Sequence, residues 1–308
     1  MRRIRYVLDV AALLIAATCA CRASADTIDV KGVARTYSAE LVDTKPAPLV
    51  IVLHGHTETG ADMAARTSWP ILAKREHFGV LFPDGLRRAW VDLRPASQRS
   101  HPAPPDGTDD TAFIAALIAK YIGDGTADPK RIYVTGASNG GAMAMTLVCA
   151  HAELLAAAAS LIFNLTDEMA NACHPSRAVP MLMMNGTADP LIPFAGGRGT
   201  SRFALDGFWS TDRTLGFWRQ NNGCEAADAA AIDLPDRDPD DESTVTRITS
   251  RCPAGQDVVL YRINDGGHRI PGRLSDVRFP RIVSYMLGPQ NHDIDAAETI
   301  WEFFKSFP

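Results

Sequence analysis

The sequence predicts an α/β fold: a mostly parallel central sheet with helices on both faces, in a three-layer sandwich. Three observations predict it. Apolar runs of strand length alternate along the chain with segments of helical apolar spacing, the pattern of repeated βαβ units. The runs at 49–53 and 179–184 are continuous rather than alternating, as in strands covered on both faces. Finally, the 308 residues contain no internal repeat and no Pro/Gly-rich linker to mark a second domain.

In chain order, residues 1–25 read as a removable export signal. Arg2, Arg3 and Arg5 precede an apolar run over 10–20, and Ala23-Ser24-Ala25 forms a small-x-small cleavage site. The run is too short for a bilayer, which needs about 20 residues; an uncleaved anchor and a lipid on Cys19 or Cys21 are weaker readings. Residues 26–308 then form a single catalytic domain. Residues 27–41 alternate as an antiparallel edge hairpin does, and 49–53 is a central strand. Residues 61–76 read as helix with a break near Pro70, and 79–82 as strand. Residues 87–107, rich in Pro and Arg, are loop. Asp109 and Asp110 open a helix over 111–121, where two acids suit the N-cap and the dipole. A strand at 131–134, a helix of small residues and Met at 140–149, a helix-then-strand passage at 154–165 and the strand at 179–184 follow. Helix over Thr211–Asn221, strands at 245–248 and 258–263 and an amphipathic helix at 299–307 complete the series. Residues 224–244, acidic and poor in apolar groups, read as an exposed insertion.

The net charge of −5 becomes more negative once the Arg-rich leader is removed. That excludes a nucleic-acid or anionic-membrane partner as the basis of function. Four cysteines remain beyond the leader: Cys149, Cys173, Cys224 and Cys252. An even count in an exported chain reads as two disulfides. Three connectivities are open, and Cys149–Cys173 with Cys224–Cys252 is favoured because each closes a short loop. No pair has the close spacing of zinc ligands.

The chemistry centres on Gly136-Ala137-Ser138-Asn139-Gly140, which follows a strand and precedes a helix. That is the setting of a Gly-x-Ser-x-Gly nucleophile elbow, where a tight turn lifts the serine above the sheet. A serine hydroxyl needs a base within hydrogen-bond reach and an acid to orient that base. On such folds the order along the chain is serine, acid, histidine. His268 lies in the Gly-rich segment after the strand at 258–263, whereas His292 is the runner-up and His151 and His174 read as surface or cap residues. Asp189 directly follows the strand at 179–184, where sheet loops gather catalytic groups; Asp265 is the alternative. The oxyanion donors are expected at the backbone N–H of Asn139 and in the loop His54-Gly55-His56-Thr57, with His56 first and Thr57 second. A metal at His54 and His56 finds no completing ligands.

Together these residues resemble a known group. Leu53-His54-Gly55, Asp109-Asp110-x-x-Phe113-Ile114, Gly136-Ala137-Ser138-Asn139-Gly140-Gly141-Ala142-Met143, Gly186-Thr187-Ala188-Asp189, Trp218-x-x-x-Asn222-Gly223-Cys224 and Gly266-Gly267-His268-x-x-Pro271-Gly272 resemble the secreted polyhydroxybutyrate depolymerases and feruloyl esterases of the α/β-hydrolase superfamily. The closing Ile300-Trp301-x-Phe303-Phe304 fits as well. The resemblance implies an α/β-hydrolase fold, no cofactor, and Ser138, Asp189 and His268 as nucleophile, acid and base. It also implies the Cys224–Cys252 disulfide. The activity implied is hydrolysis of an ester in an extracellular polymer, first a polyhydroxybutyrate-type polyester, alternatively feruloyl or acetyl esters of plant cell-wall polysaccharide; a peptidase on the same fold and a non-catalytic binding protein rank below. The group usually has a Trp between the catalytic histidine and Pro-Gly, where this chain has Arg269-Ile270, so the substrate pocket is the part that departs. Trp90, Phe194 and Ile270 are the expected substrate contacts, with Phe208 and Trp209 in loops that reach the same region.

Overall fold

A computed structural model describes residues 25–201, 205–272 and 285–307. The expected export signal lies outside the described residues except for Ala25.

Ten strands form one sheet among the described residues: β1 (Asp26–Val30), β2 (Val33–Glu40), β3 (Ala47–Leu53), β4 (Gly79–Pro83), β5 (Ala127–Ala137), β6 (Ala157–Leu161), β7 (Met181–Gly186), β8 (Asp228–Asp233), β9 (Thr244–Ser250) and β10 (Val258–Asn264). Their order is β1-β2-β4-β3-β5-β6-β7-β10-β9-β8. Every pairing from β4 through β10 is parallel, and antiparallel strands flank the block on both sides.

The helices are α1 (Gly60–Arg66), α2 (Trp69–Glu76), α3 (Asp110–Gly123), α4 (Asn139–His151), α5 (Asp167–Ala172), α6 (Thr211–Asn221) and α7 (Ala296–Phe304). Because successive strand residues point to opposite faces, β3 divides its apolar run between two cores. Leu49, Ile51 and Leu53 pack with Phe113 and Leu117 of α3, Met143 and Leu147 of α4 and Trp218 of α6. Val50 and Val52 pack with Met63 of α1, Trp69 and Leu72 of α2 and Ile300 of α7. This two-sided burial is the α/β three-layer sandwich the continuous runs predict.

Several boundaries differ from the sequence reading. The helix expected over 61–76 is two helices, α1 closed by an extended Thr67 and α2 restarted with Pro70 in its first turn, where a missing N–H costs nothing. The insertion expected at 224–244 contains β8, which pairs antiparallel with β9. As the outermost strand β8 needs no apolar cover on both faces, so it has no apolar run to read; Ile232 is 45% exposed. Short helix α5 falls between the passage at 154–165 and the strand at 179–184, where the reading had no element. At the other edge the hairpin β1–β2 is tied to α3. Lys31 bonds Asp109, the N-cap, at 2.8 Å, and Arg35 bonds buried Asp110 at 2.6 Å. The Lys31 bond and the Ala112 N–H hold the Asp109 carboxyl down at about 2. The cysteines pair as Cys149–Cys173 and Cys224–Cys252.

Candidate active site

Between β5 and α4 the chain turns within one residue, Ser138, at φ 55° and ψ −119°. A non-glycine residue there is strained and persists only where its surroundings force it. The neighbours do so by lacking side chains. A Cβ on Gly136 would stand 2.4 Å from the Gly140 carbonyl oxygen, and one on Gly140 would stand 2.3 Å from that of Leu53. The Ser138 N–H donates to the Leu161 carbonyl at 2.9 Å, which pins the turn to β6.

The loops after β7 and β10 bring two further groups to this point. Asp189 Oδ1 accepts the N–H groups of Leu191 (2.8 Å) and Ile192 (2.9 Å), which leaves Oδ2 to face His268 Nδ1 at 2.7 Å. His268 Nε2 lies 2.9 Å from Ser138 Oγ. With Nδ1 donating to a carboxylate, the free lone pair of the imidazole is on Nε2, aimed at the serine hydroxyl. Asp189 and His268 are 6% and 7% exposed, so the base and its acid are largely shielded from water, while Ser138 faces the cleft. Gly267 allows this approach: a Cβ there would meet the Leu287 carbonyl oxygen at 2.1 Å. The alternatives are placed elsewhere. The Nδ1 of His292 lies 3.2 Å from Asp238 and 3.8 Å from Asp241, His151 sits beside Glu153, and the Asp265 N–H donates to Thr187 Oγ1.

His54 is fully buried after β3. Its Nε2 accepts the Gly85 N–H at 2.9 Å, and its Nδ1 meets the Gly55 carbonyl at 2.7 Å. Both nitrogens are thereby engaged, and burial holds its pKa below the ordinary histidine value. The loop it anchors presents His56 to the cleft. The Thr57 N–H is already donating to the Arg88 carbonyl at 2.8 Å, which leaves the His56 amide as the donor available from this segment. Asn139 begins α4, so its N–H has no acceptor within the helix. Its side chain is clamped: Oδ1 accepts the Trp90 N–H at 2.7 Å, and Nδ2 donates to the Trp90 carbonyl at 3.2 Å and to Asp92 at 2.9 Å. Asp92 is in turn held by Arg94 in a two-pronged pair, at 2.9 and 2.6 Å, with both residues buried.

Of the expected substrate contacts, Ile270 lines the cleft. Trp90 does not. It is 1% exposed, its Nε1 donates to the His54 carbonyl at 2.9 Å, and it braces the His54 and Asn139 segments from behind. Phe194 packs against the α3–α4–α6 core, outside the cleft lining. Phe208 is buried in that same core, and Trp209 bonds Asp167 under the Arg213 guanidinium. Trp90, Phe194 and Phe208 serve packing here because the adjacent core faces them. Asp92 and Arg94 went unread as site residues, since no spacing marks them.

The cleft has a volume of about 880 Å³. At its rim lie Arg99, Arg66, which is ion-paired with Glu58 at 2.8 Å, and Arg269, whose pKa burial and the neighbouring Arg66 lower. Its lining is mixed: apolar Leu161, Leu191, Ile270 and Met286 stand with polar Ser68, Gln290 and Asp295.

Residues 38–214 match the family model described as Phospholipase/Carboxylesterase. NocK of Nocardia uniformis subsp. tsuyamanensis, whose name places it among esterases, is 26% identical over 302 residues, covering 91% of this chain and 82% of its own length. Feruloyl esterase B of Piromyces equi is 28% identical over 234 residues; these cover 73% of this chain but 40% of that protein, so the chain spans less than half of it. An acetyl xylan esterase structure from Aspergillus awamori superposes with a TM-score of 0.53 at 14% identity, over 82% of this chain and 93% of that one, a likeness of fold.

Proposed function

We propose that this chain, which belongs to the phospholipase/carboxylesterase family, cleaves feruloyl or acetyl esters of plant cell-wall polysaccharide through an acyl-enzyme on Ser138. That it is a carboxylic ester hydrolase of α/β-hydrolase fold is the premise. The substrate, the residue roles and the location are our reading. One observation carries the mechanism: the unbroken line Asp189–His268–Ser138, at 2.7 and 2.9 Å, opening on a cleft of about 880 Å³.

In this mechanism Ser138 Oγ attacks the ester carbonyl while His268 Nε2 takes its proton, and Asp189 stabilises the imidazolium. The N–H groups of His56 and Asn139 receive the developing oxyanion. His268 then returns the proton to the leaving alcohol, and water repeats the sequence on the acyl-enzyme. The name of the Piromyces relative supports feruloyl esters ahead of the polyhydroxybutyrate-type polyester that the sequence reading put first. Two disulfides support an oxidising, extracytoplasmic setting for a single catalytic domain over 26–308.

The test is a side-by-side rate comparison on methyl ferulate, acetylated xylan and polyhydroxybutyrate, with Ser138→Ala and Asp189→Asn. Methyl ferulate or acetylated xylan should be cleaved fastest. Ser138→Ala should abolish turnover, and Asp189→Asn should cost about 10⁴ in kcat, as in other serine triads. Faster cleavage of polyhydroxybutyrate would reinstate the polyester reading. Full activity in Ser138→Ala would remove the mechanism.

A further inference from the structure

The chain is acidic, with a net charge of −5, yet the balance in its cleft is the reverse. Among the described lining residues three arginines, Arg66, Arg99 and Arg269, stand against two carboxylates, Glu58 and Asp295. Both carboxylates are already engaged. Arg66 grips Glu58 through two bonds of 2.8 Å, and Glu58 also accepts the Gly55 N–H at 3.0 Å. Asp295 caps α7, taking the Glu298 N–H at 3.1 Å on one oxygen and the Ser68 hydroxyl at 2.5 Å on the other. Arg99 donates to the Asp92 carbonyl at 3.0 Å, a neutral acceptor, while the Asp92 carboxylate is itself taken by Arg94. Arg269 follows the catalytic histidine directly and is half-buried. Burial and the nearby Arg66 guanidinium both push its pKa down.

Gathering cations in a cleft costs energy, because like charges repel and half-buried guanidinium groups give up hydration. A substrate anion offsets both costs, and a cleft lined by one sign of charge concentrates ligands of the other. The planar fork of arginine is the donor set that matches a carboxylate. The place of Arg269 says which half of an ester carries that anion. His268 Nε2, 2.9 Å from Ser138 Oγ, returns its proton to the leaving alcohol. The alcohol therefore lies against the loop that carries His268, and Arg269 is the next residue of that loop. We propose that the cleft takes esters of an acidic sugar, in which the alcohol part is a uronic acid, and that Arg269 binds its carboxylate while Arg99 adds to the attraction. The inference rests on the serine-esterase reading above and names the class of alcohol which that reading leaves open.

The experiment compares kcat/KM for the mono-acetyl esters of methyl glucuronoside and methyl glucoside, which share an acyl group and differ by a carboxylate in place of a hydroxymethyl group. The acid-to-neutral ratio is taken within each protein, so a general loss of activity cancels. The wild type should prefer the acidic sugar by between about tenfold and a hundredfold, the worth of a hydrogen bond to a charged group. Arg269→Gln should bring the ratio close to one, and Arg269→Lys should keep part of it, since the charge stays and the fork is lost. Raising NaCl from about 0.05 to about 0.5 M should shrink the wild-type ratio by screening. A wild type without the preference, a ratio unchanged in Arg269→Gln, or a wild-type ratio indifferent to salt overturns the proposal. A matched acyl pair, p-nitrophenyl hemisuccinate and p-nitrophenyl butyrate, locates the anion. A preference for the acidic member of that pair alone would place the carboxylate in the acyl half and overturn the assignment to the alcohol. A wild type that cleaves no ester at all overturns the serine-esterase reading instead.

Discussion

Replacing Asp92 by alanine separates two jobs that one buried carboxylate performs. Asp92 neutralises Arg94, both being nearly inaccessible to solvent at 2% and 3% exposure, and it accepts a 2.9 Å bond from the Asn139 side chain. Removing the acid strands the guanidinium in the core, where breaking a buried pair costs about 3–5 kcal/mol. Against a total stability on the order of 5–15 kcal/mol that is a large share. The same change loosens Asn139, whose backbone N–H is assigned to the oxyanion. Complete loss of one such donor costs about 10²–10³ in kcat. Asn139 keeps its two bonds to Trp90, so the loss should fall below that range, between about tenfold and a hundredfold.

A paired replacement distinguishes these effects. Asp92→Leu with Arg94→Met removes both charges and fills the space with apolar groups, which should recover most of the stability. It cannot restore the bond to Asn139, so kcat should stay low. Guanidinium unfolding gives the first quantity and steady-state ester hydrolysis the second. If the double variant regains kcat along with stability, or if Asp92→Ala keeps full kcat, Asp92 serves charge balance alone and the brace on Asn139 is refuted.

Three further outcomes follow from the geometry. Because burial depresses the His54 pKa, the native state holds this ring neutral while the unfolded chain takes up a proton below about 6.5; the stability is complete above that pH and drains as pH falls through the native pKa, by about 1.4 kcal/mol per unit. The stability gap between the wild type and His54→Gln should therefore shrink from pH 7.5 to pH 5.5, and parallel unfolding curves would contradict it. Gly140→Ala would push a Cβ to 2.3 Å from the Leu53 backbone, so fluorophosphonate labelling of Ser138 should fall by at least a hundredfold; labelling at the wild-type rate would mean that the elbow tolerates a side chain. Changing both Cys224 and Cys252 to serine opens a loop of sequence separation 28 and should cost about 3–4 kcal/mol in denaturant, while a loss below about 1 kcal/mol would show that the loop is ordered without its bridge.

What could be read from the sequence follows from where the constraint is local. The strands β3 and β7 were legible because both faces are covered and every position must be apolar. Strand β8 was not: at the rim of the sheet its residues meet solvent, and an acidic, Ala-rich stretch satisfies an edge as well as it satisfies a loop. Ser138, Asp189 and His268 could be proposed because a one-residue turn needs glycines on either side and because strand ends are where loops converge. Trp90 and Phe194 were misjudged as substrate contacts for a related reason. An aromatic residue in a loop looks the same whether it faces a cleft or the core, and here both face the core. Asp92 left no trace at all, since it matters through a partner 47 positions away.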